Sequence, residues 1–152
     1  MIEDKRAKLH EQRLKFNQNS SVHPYIQKKT MKFALDPLEH GYTIKGYEPG
    51  WIQINKEKYF HSLLLMPDRL LPDWPVSDAD QITREHVLEL LQYKPQLLLV
   101  GTGEQHKIIH PKIFAPLMEL GIGYEVMNTG AACRTCNVLL SEDRKVLAAL
   151  IP

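Results

Sequence analysis

Apolar and polar side chains alternate in the first half of the chain. Residues 42–47 alternate and end at Glu48-Pro49-Gly50, a turn signal in which proline presets φ and glycine accepts a positive value. Residues 51–54 and 58–66 flank Asn55-Lys56-Glu57, a pattern typical of a β-hairpin. These segments predict an antiparallel meander at the start of the domain.

Prolines interrupt the pattern after this meander. Pro67, Pro72 and Pro75 cannot continue a ladder or a helix interior, so residues 67–82 are predicted to form a loop. Trp74 lies within it. Because Trp usually buries most of its surface, we expect Trp74 to anchor the loop on the body of the domain. The alternative is an aromatic side chain of a lid or an interface.

The second half of the chain alternates between helical and strand-like patterns. Thr83 is a predicted N-cap for a helix ending near Tyr93. Further helices are predicted over residues 111–120, closed by Gly121, and over 130–141. Continuously apolar strands are predicted over 96–100, 124–127 and 146–151. Strand–helix–strand alternation implies parallel pairing. The fold class is therefore α/β, with the meander followed by β-α-β-α-β-α-β.

The charges divide the chain into a basic arm and a mildly acidic body. Residues 1–30 carry seven basic and three acidic side chains, net +4, while the rest carry twelve and fifteen, net −3. Ile2, Leu9 and Phe16 recur every seven residues, so residues 1–28 are predicted to be a solvated arm or a helix that docks on a partner or an anionic surface. The domain itself is predicted to span residues 31–151, with residues 31–35 as a first short strand.

Composition excludes several classes of protein. Hydrophobic residues make up 43% of the 152, charged residues 24%, and the formal charge is +1. This balance disfavours a nucleic-acid binder, and two cysteines cannot build a disulfide framework. The longest apolar run, 146–151, is far short of the roughly 20 residues that span a bilayer. With neither a secretory apolar core nor an acid-poor presequence, we expect a cytoplasmic protein.

Two glycine-containing turns form the candidate binding site. If the strands ending at Val100 and Met127 are parallel neighbours, both turns lie at the sheet edge where ligands bind in open α/β sheets. Thr129 could cap the third helix, whose first N–H groups attract anions. The residues predicted to line this crevice are Gly101, Thr102, Gly103, Thr129, Gly130 and Arg134.

The same residues also have a purely structural interpretation. A lone G-x-G is most often a tight turn, and this one lacks the third glycine of a nucleotide-binding fingerprint. Arg134 could instead pair with a surface carboxylate such as Glu125 or Glu142. The sequence leaves both interpretations open.

Cys133 and Cys136 form a C-x-x-C motif beside a strand–helix unit. It could be a thioredoxin-like redox pair, or it could join His106 and His110 in a zinc site. Because the motif falls inside a predicted helix, we favour two small apolar residues, and we predict neither a metal nor a cofactor.

No complete catalytic signature is present. The chain lacks H-E-x-x-H, P-loop and G-x-S-x-G motifs. Ser62, Ser77 and Ser141 show no local sign of activation. We therefore predict no catalytic residues.

The C-terminal run Glu125-Val-Met-Asn-Thr-Gly-Ala-Ala-Cys-Arg-Thr135 resembles the signature of a known family. This is the small α/β domain family of unknown function that includes the mitochondrial complex I (NADH:ubiquinone oxidoreductase) assembly factor 3 and uncharacterised prokaryotic homologues. The resemblance covers about residues 31–151. Other residues that match in order are Tyr59, Ser62, Pro67, Trp74, Pro95, Gly101-Thr102-Gly103, Asn137, Glu142, Arg144, Val146, Ala148, Ala149 and Leu150.

The resemblance implies a single three-layer α/β domain with a central mixed sheet whose final strand is antiparallel to the others. It implies no established catalytic residue, and it implies action through a protein partner, as in assembly of a respiratory or membrane complex. Two positions depart from the family pattern: Cys136 replaces a usual Tyr, and Asp143 a common Gly. Asp tolerates the left-handed conformation that such a turn needs.

Overall fold

Three antiparallel strands form the first sheet of the computed structural model, which describes residues 41–152. They are β1 (Ile44–Glu48), β2 (Trp51–Ile54) and β3 (Glu57–Tyr59), in the order β1-β2-β3. Gly50 (φ 99°) and Asn55 (φ 53°) lie at the connecting turns, as predicted. The predicted basic arm of residues 1–28 and the strand over 31–35 lie outside the described residues.

The prediction of one strand over residues 58–66 is wrong. The first sheet ends at Tyr59, and β4 (Leu63–Met66) belongs to a second sheet. All four residues of β4 are buried, because helices cover both faces of that sheet, whereas buried and partly exposed residues alternate in β2. The chain changes sheets over residues 60–62.

The predicted loop over residues 67–82 also contains regular structure. A short strand, β5 (Arg69–Leu71), pairs antiparallel with β4, and a 3₁₀ turn covers Ala79–Gln81. Pro67 and Pro72 flank β5 rather than interrupt it, which is how an edge strand accommodates proline. Trp74 is buried, which confirms its prediction as an anchor.

Five strands form the second sheet, in the order β5-β4-β8-β6-β7. The new strands are β6 (Leu97–Gly101), β7 (Gly123–Met127) and β8 (Val146–Leu150). β6 pairs parallel with both β7 and β8, which confirms the pairing predicted from the alternation. The expectation that the final strand is antiparallel to the others is wrong, because β8 is antiparallel only to its neighbour β4. A helical crossover from β7 sets the direction of β8.

Helices cover both faces of the five-stranded sheet. The α1 helix (Arg84–Leu90) begins at Thr83 with a capping box. The α2 helix (Ala115–Glu119) continues a 3₁₀ turn over Pro111–Phe114. These two pack on one face, through a core that includes Leu90 and Phe114, and α3 (Thr129–Ser141) packs on the other. The three layers and the mixed sheet agree with the predicted fold class.

Asn137 of α3 joins the first sheet to this helix. Its side-chain oxygen accepts a hydrogen bond from the N–H of Ile44, and its amide nitrogen donates to the carbonyl of Ile44, both at 2.8 Å. The backbone of strand β1 is therefore fixed beside α3. Asp143 takes the left-handed conformation (φ 55°) before β8, as the sequence predicted. No helix in the part of the chain described here is long and apolar enough to cross a membrane.

Candidate functional site

The two predicted turns meet at one edge of the five-stranded sheet. Strands β6 and β7 are parallel neighbours, with Gly101 opposite Met127. The N–H of Thr102 donates to the carbonyl of Met127 (2.9 Å), and the N–H of Thr129 donates to the carbonyl of Gly103 (2.8 Å). The structure therefore brings the predicted glycine corners together.

The Thr129 side chain holds this junction together from inside. It is completely buried. Its hydroxyl oxygen accepts a hydrogen bond from the N–H of Gly103 (2.7 Å) and donates one to the carbonyl of Ile151. One side chain thus links the end of β6, the start of α3 and the residue after β8. We refer to this arrangement as the Thr129 corner.

Gly101 makes the Thr129 corner sterically possible. A Cβ atom at this position would lie 2.9 Å from the Thr129 hydroxyl oxygen, 3.1 Å from Leu150 and 3.2 Å from Ala132. Real Cβ atoms essentially never approach as closely as the first of these distances. The glycine of β6 therefore permits close packing of helix α3 on the sheet.

The predicted helix cap at Thr129 is wrong. Asn128 is the N-cap of α3, and its side-chain oxygen accepts from the N–H of Ala131 at 2.8 Å. Thr129 is instead the first helical residue, and its side chain points into the sheet. Asn and Thr are both good N-cap residues. Only the direction in which the chain passes from β7 into α3 decides which of them is the cap.

Thr102 organises the loop that follows β6. Its hydroxyl oxygen accepts from the N–H of Lys107 (3.0 Å), and its hydroxyl donates to the carbonyl of Gln105 (2.7 Å). The Lys107 ammonium contacts both carboxylate oxygens of Asp78 at 2.9 Å. This hydrogen bond lowers the pKa of Asp78 and raises the pKa of Lys107. The loop of residues 103–110 is therefore fixed at its start and near its middle.

Tyr47 from β1 covers the start of α3, and the sequence analysis missed it. Its ring carbons lie 3.5 Å from the position that a Cβ of Gly130 would take. The hydroxyl is buried without a hydrogen-bond partner among the described residues. Burial raises its pKa, and Cys133 and Glu104 nearby raise it further. No local sequence signal marks Tyr47, because the contact depends on how the first sheet packs beside α3.

The remaining predicted residue, Arg134, lies on the outer side of α3. It is exposed and forms no salt bridge with any described residue, Glu125 and Glu142 included. The hydroxyls of Thr102 and Thr129 are already hydrogen-bonded within the chain. Ligand binding by Gly101, Thr102, Gly103, Thr129, Gly130 and Arg134 stays a prediction.

The C-x-x-C motif lies inside α3 and both thiols are buried. Burial raises the pKa of Cys133 and of Cys136 to about 12. A redox pair needs an accessible thiol with a lowered pKa, which neither Cys133 nor Cys136 has. His106 and His110 are exposed. Within residues 41–152, no group of three or more His, Cys, Asp or Glu side chains could hold a metal ion.

Comparisons with known proteins agree with the resemblance seen in the sequence. The chain is 34% identical over 128 residues to the zebrafish (Danio rerio) NADH dehydrogenase [ubiquinone] 1 alpha subcomplex assembly factor 3, a match that covers 83% of this chain. The match spans 73% of the zebrafish protein, and 60% of the rat protein of the same name. A Francisella tularensis protein named 13 kDa major membrane protein is 29% identical over 108 residues, 70% of this chain and 88% of its own.

A solved structure and a family model extend this finding to the fold. The crystal structure of a Bordetella parapertussis protein superposes with a TM-score of 0.69 at 34% identity, covering 74% of this chain and 96% of that one. The family model described as "Protein of unknown function (DUF498/DUF598)" matches residues 44–151. That match includes every strand and helix described above. The chain therefore belongs to the DUF498/DUF598 family of proteins of unknown function.

Proposed function

We propose that this protein acts by binding another protein, as an assembly factor for a respiratory or membrane complex, and that it is not an enzyme. The names of the zebrafish and rat relatives support the assembly role. The proposal includes a protein partner and a cytoplasmic location. Cell fractionation checks the location. The proposal includes neither a nucleic-acid partner nor a cofactor.

The observation that carries the proposal is the apolar surface on the layer of α1 and α2. Large exposed apolar side chains mark an interaction site when they form one contiguous patch, whereas scattered single ones are ordinary; we propose that those on this layer form such a patch. Four of the six such side chains among the described residues lie on α1, on α2 and its C-terminal end, and on the 103–110 loop. They are Leu88, Ile108, Met118 and Leu120, which we call the α1–α2 face.

Ile108 is the most exposed member of the α1–α2 face, at 88%. It follows Lys107, whose contact with Asp78 fixes the loop, and it precedes Ile109, which packs against the core. An apolar side chain on a fixed loop loses little conformational entropy on binding. Ile108 is therefore our candidate for the central contact residue of the α1–α2 face.

The second candidate function is binding of a small anion at the Thr129 corner. Arg134, exposed near the first turn of α3 without a salt bridge to the described residues, favours it, because a cation near the positive end of a helix is mildly unfavourable unless an anion binds. The two candidates depend on different residues. A single experiment with matched variants separates them.

The test uses a strain of the source organism that lacks the gene, complemented with wild type, Ile108→Asp or Arg134→Ala. We expect the deletion to lower the amount of assembled NADH:quinone oxidoreductase on native gels, and wild type and Arg134→Ala to restore it. Ile108→Asp should fail, because truncating a central contact costs about 2 kcal/mol of binding, although thermal unfolding is unchanged. An unaffected deletion strain contradicts the assembly role. Rescue by Ile108→Asp together with failure of Arg134→Ala favours the anion site.

A further inference from the structure

A second concave site lies away from the Thr129 corner. It is a cleft of about 370 Å³ between the turn after β1, the chain segment that joins the two sheets, the segment around Trp74, and the residues after β8. Its volume is at the lower end of the range for small-molecule sites, about 300–1,000 Å³. The lining residues are Gly50, Phe60, His61, Ser62, Trp74, Pro75, Val76, Ser77 and Pro152.

Ser62 places an unpartnered polar group in this cleft. The residue is only 4% exposed, and its hydroxyl makes no hydrogen bond to any described residue. Buried hydroxyls in folded proteins nearly always have a partner, so a specific exception needs an explanation. The hydroxyl oxygen itself has almost no accessible surface, so a ligand reaches it only when the Ser62 side chain rotates toward the cleft. Because the residue lines a cleft of ligand size, a bound molecule that hydrogen-bonds to Ser62 in that rotamer is our explanation.

The walls of the cleft are fixed by hydrogen bonds and ring contacts. The N–H of Trp74 donates to the carbonyl of Ser62, and the N–H of Val76 donates to the carbonyl of Trp74, both at 2.8 Å. The Trp74 ring meets the ring of His86 edge to face, with centroids 6.0 Å apart. The cleft is therefore preformed, which lowers the entropic cost of binding.

The other serine of the cleft differs from Ser62. The Ser77 hydroxyl lies 3.1 Å from the side-chain oxygen of Gln81 and donates to it, and the Ser77 N–H donates to the same oxygen at 2.9 Å. Its hydrogen-bonding needs are met within the chain. Ser77 thus provides a matched control in the same cleft.

The lining residues define the chemistry of the ligand. Asp, Glu, Lys and Arg are absent from the lining, and His61 is its one titratable side chain. An anionic ligand would lose hydration there without gaining a Lys or Arg counter-ion. Phe60 and Trp74 supply aromatic surface, which favours a flat ring.

From this arrangement we propose that the Ser62 cleft binds a small molecule without negative charge that has a flat apolar ring and one group that hydrogen-bonds to the Ser62 hydroxyl. The hydroxyl both donates and accepts, so an amide, a phenolic hydroxyl or a ring N–H satisfies it. The proposal is independent of the assembly role, because it uses none of the residues of the α1–α2 face.

NMR titration of the full chain tests the proposal with benzamide, phenol and indole as probes. The reporter is the indole N–H signal of Trp74, assigned with Trp51→Phe, since Trp51 and Trp74 are the two tryptophans. We expect a saturable shift of this signal with at least one probe. Benzoate, the anionic analogue of benzamide, should give at least about tenfold weaker binding, because no Lys or Arg side chain lines the cleft.

Two serine variants test whether binding depends on the unpartnered hydroxyl of Ser62. Ser62→Ala should weaken binding by about threefold to tenfold, the effect of removing one neutral hydrogen bond. Ser77→Ala should leave the dissociation constant within about twofold, because its hydroxyl is occupied by Gln81. The proposal is overturned if none of the three probes gives a saturable shift, if benzoate binds as well, or if Ser62→Ala, still folded, binds like wild type.

Discussion

Thr129 and Ser62 are both buried hydroxyl-bearing residues, and their surroundings use the hydroxyl in opposite ways. Thr129 joins three chain segments through hydrogen bonds to Gly103 and Ile151. Ser62, at a similar degree of burial, has no partner for its hydroxyl among the described residues. The first hydroxyl is committed to the fold, whereas the second is available to another molecule.

This difference shows why a sheet edge that has the features of a ligand-binding site need not bind a ligand. Glycine-containing turns and the N-terminus of a helix allow a ligand or an anion to approach the protein backbone closely. At the Thr129 corner the same features accommodate the side chain of Thr129 itself, because Gly101 leaves room for it. The number of hydrogen-bond partners of each hydroxyl is what separates the two cases.

Thr129→Val should have the largest effect on stability. Valine keeps the shape but leaves the Gly103 N–H and the Ile151 carbonyl without their partner. Each unsatisfied buried group costs about 1–3 kcal/mol, so we expect the free energy of unfolding to fall by about 3 kcal/mol. Urea denaturation measures the change.

Thr135→Val is the matched control on the same helix. Among the described residues, the Thr135 hydroxyl hydrogen-bonds only to the sulfur of Met127, at 3.5 Å, and thioether sulfur is a weak acceptor. Its loss should change the free energy of unfolding by about 0.5 kcal/mol or less. Equal effects of the two substitutions would show that the Thr129 corner is not specifically held by its hydroxyl.

The second half of the fold could be predicted because local patterns determine it. The apolar run before Gly101 and the cap at Thr83 each specify an element from neighbouring residues alone. The first half could not be predicted as well, since nothing local shows that β3 and β4 belong to different sheets. The pairing of β4 with β8 joins residues more than eighty positions apart.

The candidate site shows the same limit. The proximity of the glycine corners follows from parallel pairing of β6 and β7, and sequence reasoning found it. That the Thr129 hydroxyl points into the sheet depends on the packing angle of α3, and that Tyr47 covers Gly130 depends on the position of β1. Neither orientation can be recognised from the neighbouring residues in the sequence. The Ser62 cleft forms from four separate segments and was missed for this reason.

Gly101→Ala should have an intermediate effect. The added methyl group would lie 2.9 Å from the Thr129 hydroxyl oxygen, so Thr129 or α3 must shift. Overpacking of this kind costs about 1–3 kcal/mol, and we expect a loss of about 2 kcal/mol in urea denaturation.

Gly130→Ala is the control for Gly101→Ala. Its Cβ meets the Tyr47 ring and Asn128 at an ordinary 3.5 Å, and alanine favours the helix by up to about 1 kcal/mol. We therefore expect unchanged or slightly increased stability. A loss as large as that of Gly101→Ala would mean that the start of α3, and not the contact with Thr129, limits packing at this corner.

Apart from the control substitutions, Ser62→Ala should have the smallest effect on stability, and in the opposite direction. Removing a buried hydroxyl that lacks a partner removes a desolvation cost of about 1–3 kcal/mol, which loss of packing by the oxygen partly offsets. We expect the free energy of unfolding to rise by up to about 1 kcal/mol without added ligand. A clear loss of stability would show that the hydroxyl is bonded within the fold, like that of Thr129. A gain in stability together with weaker benzamide binding is the combination that only a ligand-binding hydroxyl produces.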